Sequence, residues 1–331
     1  MRIAILNYAD AVPTCVTGPA DIWRGMSRMY PLLTGSKLKK EIRVDFVSQN
    51  YQTKHFYYTP AGTQQQKRLT TKEVYDLIIV PAMYFEKIEA VITGEQTLIR
   101  WLQQQYTQGA ELASICVGAF LLAATGLLQG KKVTTNWLFA AQFRERFPDI
   151  ELQDDKVIVD QGRIYSCGGA FSFTSFMIYL IEKFCGHEEA TAASKILMIN
   201  VHDLPQRTFS IFKFQHEHGD ETITLAQKYI EQNYQQPLTL ESMATHCSMS
   251  VRNFCRRFEN ATTNTPFEYL QRVRIEAAKE MLERKQEGIE QVSLHCGYED
   301  VNYFRKIFKR HVAMTPRAYQ EKYGRRRTHI A

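Results

Sequence analysis

The sequence predicts an α/β domain followed by an all-α domain with two helix–turn–helix units. Three observations carry this. Residues 1–200 alternate short β-branched or apolar runs with helical stretches, the pattern of a parallel sheet covered on both faces. From Glu221 onward the pattern is helical throughout. Within that helical region a block of residues recurs at a spacing of 50.

In chain order, residues 2–6, 43–48, 76–82, 111–116 and 132–135 read as strands, and residues 20–30, 97–106 and 117–128 as the helices between them. Residues 157–159 and 163–166, joined by Asp160-Gln161-Gly162, read as a hairpin. Residues 171–184 and 188–200 read as two further helices. Residues 201–220, with Pro205, His202, His216 and His218, read as a solvated linker. They show no helical His-x-x-x-His spacing and no acidic partner pattern, so they do not read as a metal site. The expected division is therefore a first domain over 1–200, a linker over 201–220 and a second domain over 221–331.

The repeat orders the second domain. Phe254 and Phe304 lie 50 apart, as do Phe258 and Phe308, Thr265 and Thr315, Pro266 and Pro316, and Tyr269 and Tyr319. His246-Cys247 matches His295-Cys296 at an offset of 49, so one residue is gained in the turn. Each copy reads as helix, short turn, helix: residues 240–246 and 251–259, then 289–295 and 301–310. Two copies are too few for a solenoid, and a turn this short suits a DNA-docking unit. Residues 266–282 carry an apolar stripe (Leu270, Ile275, Ala278, Met281, Leu282) that would hold the copies at a fixed spacing.

Length and composition agree. A chain of 331 residues is comfortable for two domains, and 44% hydrophobic with 23% charged residues excludes wholesale disorder. The most apolar stretch, residues 113–128, falls short of the roughly 20 residues needed to span a bilayer. The N-terminus shows no cleavage site of small residues, so membrane and secreted classes are not expected. Seven cysteines, an odd number with no Cys-x-x-Cys pair, fit a reducing cytoplasm. Residues 221–331 hold 18 Lys+Arg against 13 Asp+Glu, so nearly all of the net charge of +6 sits there, as expected of a segment that meets a polyanion.

In each second helix of the repeat, phenylalanines at i and i+4 mark the buried face. The opposite face is left to Arg252, Asn253, Cys255, Arg256 and Arg257 in the first copy. In the second it is left to Val301, Asn302, Arg305, Lys306 and Lys309. Arginine pairs bidentately with guanine and asparagine with adenine, while any cation neutralises phosphate. By position Arg252 and Arg256 are expected at base edges, and Arg257 and Lys309 nearer the backbone. The repeated His-Cys pairs are read as small residues packed under the turn rather than metal ligands. In the first domain, Glu111-Leu112-Ala113-Ser114-Ile115-Cys116-Val117-Gly118 reads as strand, sharp turn, helix. Read alone, Cys116 is either a nucleophile whose thiol the helix end acidifies, or a small residue at a tight turn.

Residues 221–331 resemble the AraC-type DNA-binding domain. The second copy is the more specific: Cys296-Gly297-Tyr298, then Tyr303-Phe304-x-x-x-Phe308-Lys309, then Met314-Thr315-Pro316-x-x-Tyr319. Residues 1–200 resemble the DJ-1/PfpI branch of the class I glutamine amidotransferase-like fold, through the block from Ala113 to Gly118 and through Val133-Thr134-Thr135-Asn136-Trp137. End to end the chain resembles the GlxA-like group of transcription regulators. The resemblance implies a flavodoxin-like three-layer sandwich as a non-catalytic sensor and dimerisation domain, and recognition helices at 251–259 and 301–310. The second block ends in Asn136 where the hydrolase branch has a histidine, so no Cys–His dyad is available there. Asp21 is at best a shifted substitute for the branch's acidic residue, and His55, His187 and His202 lie outside both blocks.

The function expected is sequence-specific DNA binding under control of a small metabolite, in the cytoplasm, with no cofactor and no metal. The alternative is a Cys-dependent hydrolase or glyoxalase-like enzyme with a DNA-binding tail. A ligand is expected at the carboxyl ends of the strands, bordered by Pro19, Cys116, Val117, Asn136, Trp137, Gly168 and Gly169. The expected partners are double-stranded DNA, an amino-acid or amine effector, a second copy of the chain and RNA polymerase, with no membrane.

Overall fold

A computed structural model describes the chain apart from residues 50–56, 60, 61, 65, 66, 71, 201–204, 211, 213, 214, 217, 285, 286 and 325–331. His55 and His202 therefore lie outside the described residues. The chain divides into two compact units, Met1–Gln206 and Arg207–Ala331.

The first unit is built on a seven-stranded sheet. Its strands are β1 (Arg2–Leu6), β2 (Arg43–Ser48), β5 (Lys67–Arg68), β6 (Leu77–Val80), β7 (Glu111–Ile115), β10 (Ile158–Asp160) and β11 (Ile164–Cys167), in the order β10-β11-β7-β6-β1-β2-β5. All neighbours pair parallel except β10 and β11, which form the expected antiparallel hairpin. Two small two-stranded sheets accompany it: β3 (Tyr57–Thr59) with β4 (Gly62–Gln64), and β8 (Lys132–Val133) with β9 (Glu151–Leu152). Strands buried on both faces read as continuous apolar runs, which is why Leu77–Val80 and residues 3–6 are wholly buried.

Helices α1 (Pro13–Thr34), α6 (Phe173–Cys185) and α7 (His187–Ile196) pack against one another, and α1 packs on β1. Helices α2 (Ile88–Gly94), α3 (Gln96–Thr107) and α4 (Gly118–Ala124) form a second group, with α4 against β6 and β7. The short α5 (Ala140–Arg146) follows β8. This is the expected α/β/α sandwich with three corrections of extent. Helix α1 is longer than residues 20–30, because the face of Cys15, Val16, Ala20, Trp23, Met26 and Tyr30 is buried strongly enough to carry Pro19 and Pro31 inside it. The stretch 132–135 yields only a two-residue strand outside the main sheet. The helix expected over 117–128 stops at Ala124, after which Gly126 takes a left-handed φ of 74°.

The second unit is all helical: α8 (Glu221–Asn233), α9 (Leu240–His246), α10 (Val251–Thr262), α11 (Pro266–Arg284), α12 (Ile289–His295), α13 (Val301–Val312) and α14 (Pro316–Tyr323). The repeat in the sequence becomes a repeat in packing. Phe254 meets Phe258 with ring centroids 5.5 Å apart, and Phe258 meets Tyr269 at 5.4 Å. Fifty residues on, Phe304 meets Phe308 at 5.7 Å and Phe308 meets Tyr319 at 5.5 Å. The Thr-Pro pairs start helices: Thr265 and Thr315 accept from the backbone N–H groups of Glu268 and Ala318, each at 3.2 Å, with proline as the first helical residue. Helix α11 joins the two halves, as its stripe suggests, with Tyr269, Leu270, Val273, Ile275, Ala278 and Leu282 buried.

Candidate functional site: a cysteine elbow and two recognition helices

In the first unit β7 ends at Ile115 and α4 begins at Gly118, leaving two residues to reverse direction. Cys116 takes the left-handed φ of 54° that this turn demands. Gly118 follows because the chain passes hard against β6: a Cβ there would lie 2.5 Å from the Pro81 carbonyl oxygen. The Cys116 N–H donates to the Cys167 carbonyl at the end of β11 at 2.8 Å, and the Thr135 hydroxyl donates to the Cys116 carbonyl at 3.0 Å. The elbow thus sits among the carboxyl ends of β6, β7 and β11, where open parallel sheets offer a crevice.

The thiol is not acidified. Cys116 is only 5% exposed. Burial, the largest effect, pushes its pKa up to about 11, against smaller opposing hydrogen bonds from Val117, Asn136 and Ala170. Cys15 also raises it. Burial thus works against the acidification that the helix end would supply. Cys15 and Cys167 are buried and raised likewise, chiefly by desolvation.

The expected ligand-border residues divide into groups. Cys116, Val117 and Asn136 come together: Val117 is buried beside Cys116, and Asn136 hydrogen-bonds the thiol while its Oδ1 accepts from the Leu138 N–H at 2.9 Å. Trp137 and Gly168 meet at a different side chain, Gln206. The Trp137 N–H donates to Gln206 Oε1 at 3.1 Å, and Gly168 underlies the same carboxamide. Gly169 packs on Ser172, whose Oγ would lie 2.5 Å from an added Cβ. Pro19 is buried within α1. Asp21 is exposed and His187 pairs with Glu182 at 3.0 Å.

The acidic groups that act on Tyr8, in the loop after β1, are Asp10 and Glu95. Burial first, and then the charges of Cys15, Glu95, Asp10 and Cys116, push the Tyr8 phenol well above its ordinary range. The Tyr8 hydroxyl donates to the Pro81 carbonyl at 2.6 Å. Sequence reasoning missed Tyr8, Asp10, Glu95 and Gln206. They come from loops with no repeat or fixed spacing to expose them.

In the second unit each recognition helix is preceded by a tight turn. Ser248 holds φ 54° in the first and Gly297 φ 78° in the second, at the same offset as the His-Cys pairs. Ser250 caps α10 through the Asn253 N–H, and Asp300 caps α13 through the N–H groups of Asn302 and Tyr303. Phe254 and Phe258, then Phe304, Ile307 and Phe308, are buried. Arg252 and Arg256, then Asn302, Arg305, Lys306 and Lys309, line the opposite face. Asn253, Cys255 and Val301 are half-buried at the margins. The Asn253 Oδ1 accepts from Arg256 at 3.1 Å, and the Asn302 Oδ1 accepts from Arg305 at 3.3 Å, so each helix presents a pre-aligned Asn–Arg pair.

Arg257 differs from its neighbours. Its Nη2 and Nε donate to the two carboxylate oxygens of Asp220 at 2.7 and 3.0 Å. It already has an anion. Tyr303, which the sequence pattern did not single out for this face, stands 48% exposed in the first turn of α13 beside Asn302. Cys247 and Cys296 end α9 and α12 under their turns, and burial pushes Cys296 up to about 12. His216 and His218, expected in solvent, are half-buried: His216 Nε2 meets Glu231 at 2.9 Å and His218 Nε2 meets Gln227 at 2.9 Å, both on α8.

A parallel α/β sandwich carrying a turn cysteine and a helical unit with two helix–turn–helix repeats make up the chain. Residues 29–183 match the DJ-1/PfpI family and residues 243–322 match a helix-turn-helix domain family. The two matches fall one in each unit, the DJ-1/PfpI model in the first and the helix-turn-helix model in the second. It is 27% identical to the HTH-type transcriptional regulator ArgR of Pseudomonas aeruginosa, over 65% of this chain and 66% of that one. It is 28% identical to the regulator CdhR of the same organism, over 73% and 70%, and 25% identical to the regulator GlxA of Rhizobium meliloti, over 65% and 67%. The matches thus span about two thirds of those relatives' length. The first unit shares its fold with a putative transcriptional regulator from Vibrio parahaemolyticus, with TM-score 0.50 and 20% identity over 60% of this chain and 98% of that one. No helix among the described residues is long and apolar enough to cross a membrane.

Proposed function

We propose that this protein is a sequence-specific transcription regulator whose second unit reads duplex DNA and whose first unit senses a small metabolite without catalysis. The observation that carries the reading is the duplicated helix–turn–helix, with an exposed basic face and a pre-aligned Asn–Arg pair on each second helix. Arg252, Asn253 and Arg256 of α10, with Asn302 and Arg305 of α13, are the base readers. Cys255 and Val301 offer apolar contact at the margin, and Lys306 and Lys309 bind phosphate. Arg257 stands outside this set, because Asp220 occupies its guanidinium.

The effector lies at the carboxyl ends of the strands, bordered by Cys116, Val117, Asn136, Trp137, Gly168, Gly169 and Pro19. A thiol held up at about 11, with Asn136 beside it in place of a base, supports sensing over Cys-dependent hydrolysis. The reading places the protein in the cytoplasm as a homodimer that meets RNA polymerase at its operators. Met29, Leu32 and Leu33, exposed apolar side chains near the end of α1, support the self-association reading. Titration of the full chain against duplex DNA at several salt concentrations tests the DNA reading. Retained affinity with no salt dependence counts against it.

A further inference from the structure

Gln206 is the last residue of the first unit, and its side chain is buried there. Its Nε2 donates to Thr134 Oγ1 at 2.9 Å, to the Thr135 carbonyl at 2.8 Å and to the Lys156 carbonyl at 2.7 Å. Its Oε1 accepts from the Trp137 N–H at 3.1 Å, and its own backbone N–H donates to the Asp155 carbonyl at 2.9 Å. Gly168 forms the floor: a Cβ there would lie 2.0 Å from Nε2 and 2.2 Å from Cδ. Thr135, which accepts from the amide, is the residue whose hydroxyl holds the Cys116 carbonyl. The cradle therefore shares a residue with the elbow. Two positions further on, buried Thr208 donates its hydroxyl to the Val312 carbonyl inside the second unit.

The donor count is uneven. A carboxamide nitrogen carries two hydrogens, and here it faces three acceptors, of which the Lys156 carbonyl also accepts from the Thr134 hydroxyl at 2.8 Å. A primary ammonium carries three hydrogens and would satisfy each acceptor singly. We propose that Gln206 is a latch: it fills a cradle suited to a group richer in N–H donors, and a primary ammonium on the effector displaces it and frees the linker. This rests on the reading of the first unit as a metabolite sensor. It adds the residue that couples occupancy to the linker and the chemical group that works it.

The test is tryptic cleavage after Arg207 in the full chain, followed by mass spectrometry. Arg207 is exposed between the two anchored side chains, so its cleavage reports local release. Gln206→Ala is expected to raise the cleavage rate at least about tenfold. Gly168→Ala should do the same, because the added methyl meets only the flexible end of Gln206 and Gly168 does not hold a left-handed φ. The double variant should be no faster than either single one, since both act through the same side chain. Additive effects, or unchanged cleavage in both single variants, overturn the latch. In the unmodified chain, methylammonium should raise the rate and tetramethylammonium at equal ionic strength should not. Equal responses, or no response to either, overturn the ammonium assignment. The assay contains no DNA, so a failure of the DNA reading and a failure of the latch are told apart.

Discussion

Replacing Arg257 with alanine is expected to weaken the second unit without altering which base pairs it prefers. The guanidinium grips Asp220 through two hydrogen bonds of 2.7 and 3.0 Å, with the side chains 38% and 23% exposed. Exposure reduces such a pair to about 1 kcal/mol. Asp220 does more: its Oδ1 caps α8 by accepting from the Ile223 N–H at 3.1 Å, which adds about 1 kcal/mol. Burial raises the Asp220 carboxyl, but the Ile223 N–H and Arg257 outweigh it and hold it below the ordinary range. The pair is therefore present above the ordinary carboxyl pKa and is lost as pH falls through the folded value. Arg257→Ala should cost about 1 kcal/mol, Asp220→Ala about 2, and the double variant about 2, leaving a coupling of about 1 kcal/mol. Thermal or urea unfolding measures it, and 1 kcal/mol corresponds to about 4 °C for a unit of this size. DNA titration supplies the second half. Arg256→Ala should cost about 1–3 kcal/mol on a preferred duplex and relax one position, while Arg257→Ala should leave preference unchanged. A coupling of zero, or loss of preference in Arg257→Ala, refutes the separation of these adjacent arginines.

Other substitutions follow from the backbone and from burial. Ala313 ends α13 with φ 63°, so Ala313→Gly should stabilise the second unit by about 0.5–1 kcal/mol in urea melts. Gly297→Ala should cost more than about 1 kcal/mol, because its Cβ would lie 2.8 and 2.9 Å from the carbonyl oxygens of Gln235 and Tyr234. Burial, with Arg272 and Arg310 adding to it, lowers His311 to about 4. Neutral His311 therefore contributes stability above its ordinary pKa that is lost as pH falls toward 4, about 1–2 kcal/mol by pH 5. His311→Gln should flatten that acid limb in a pH series of melts. Cys116 should resist a mild alkylating agent at pH 7 relative to the half-buried Cys185, Cys247 and Cys255, and Cys116→Ser should show no lost turnover. Fast selective labelling would contradict the burial argument.

Much of this architecture is legible in the residues because it is periodic. The 50-residue repeat named the buried phenylalanines, the Thr-Pro helix starts and the exposed faces of α10 and α13. Strands β1 and β2 and helices α9 and α12 end where their apolar patterns end. What escaped depends on tertiary partners. Helix α1 runs through two prolines because its buried face outweighs a local penalty that sequence alone reads as a stop. Arg257 and Arg256 are adjacent and alike in the sequence, and only Asp220, 37 residues away, distinguishes them. Gln206 carries no motif. Its role comes from three acceptors on two segments and a glycine floor, which no spacing rule records. The Cys116 elbow shows the converse. Strand–turn–helix was readable, but the sign of the thiol's shift was not, because burial is a property of the folded environment.

The central claim is that α10 and α13 meet duplex DNA together. The most direct measurement is the affinity of the full chain for a selected duplex and a scrambled one across a salt series. The expected result is a linear fall of log affinity with log salt on both, with a tighter selected site. Lys309→Ala should lower the slope by about one unit on both duplexes, and Arg256→Ala and Arg305→Ala should erode preference for the selected one. A slope near zero, or equal affinity for the two duplexes whether or not those arginines are present, would contradict the claim.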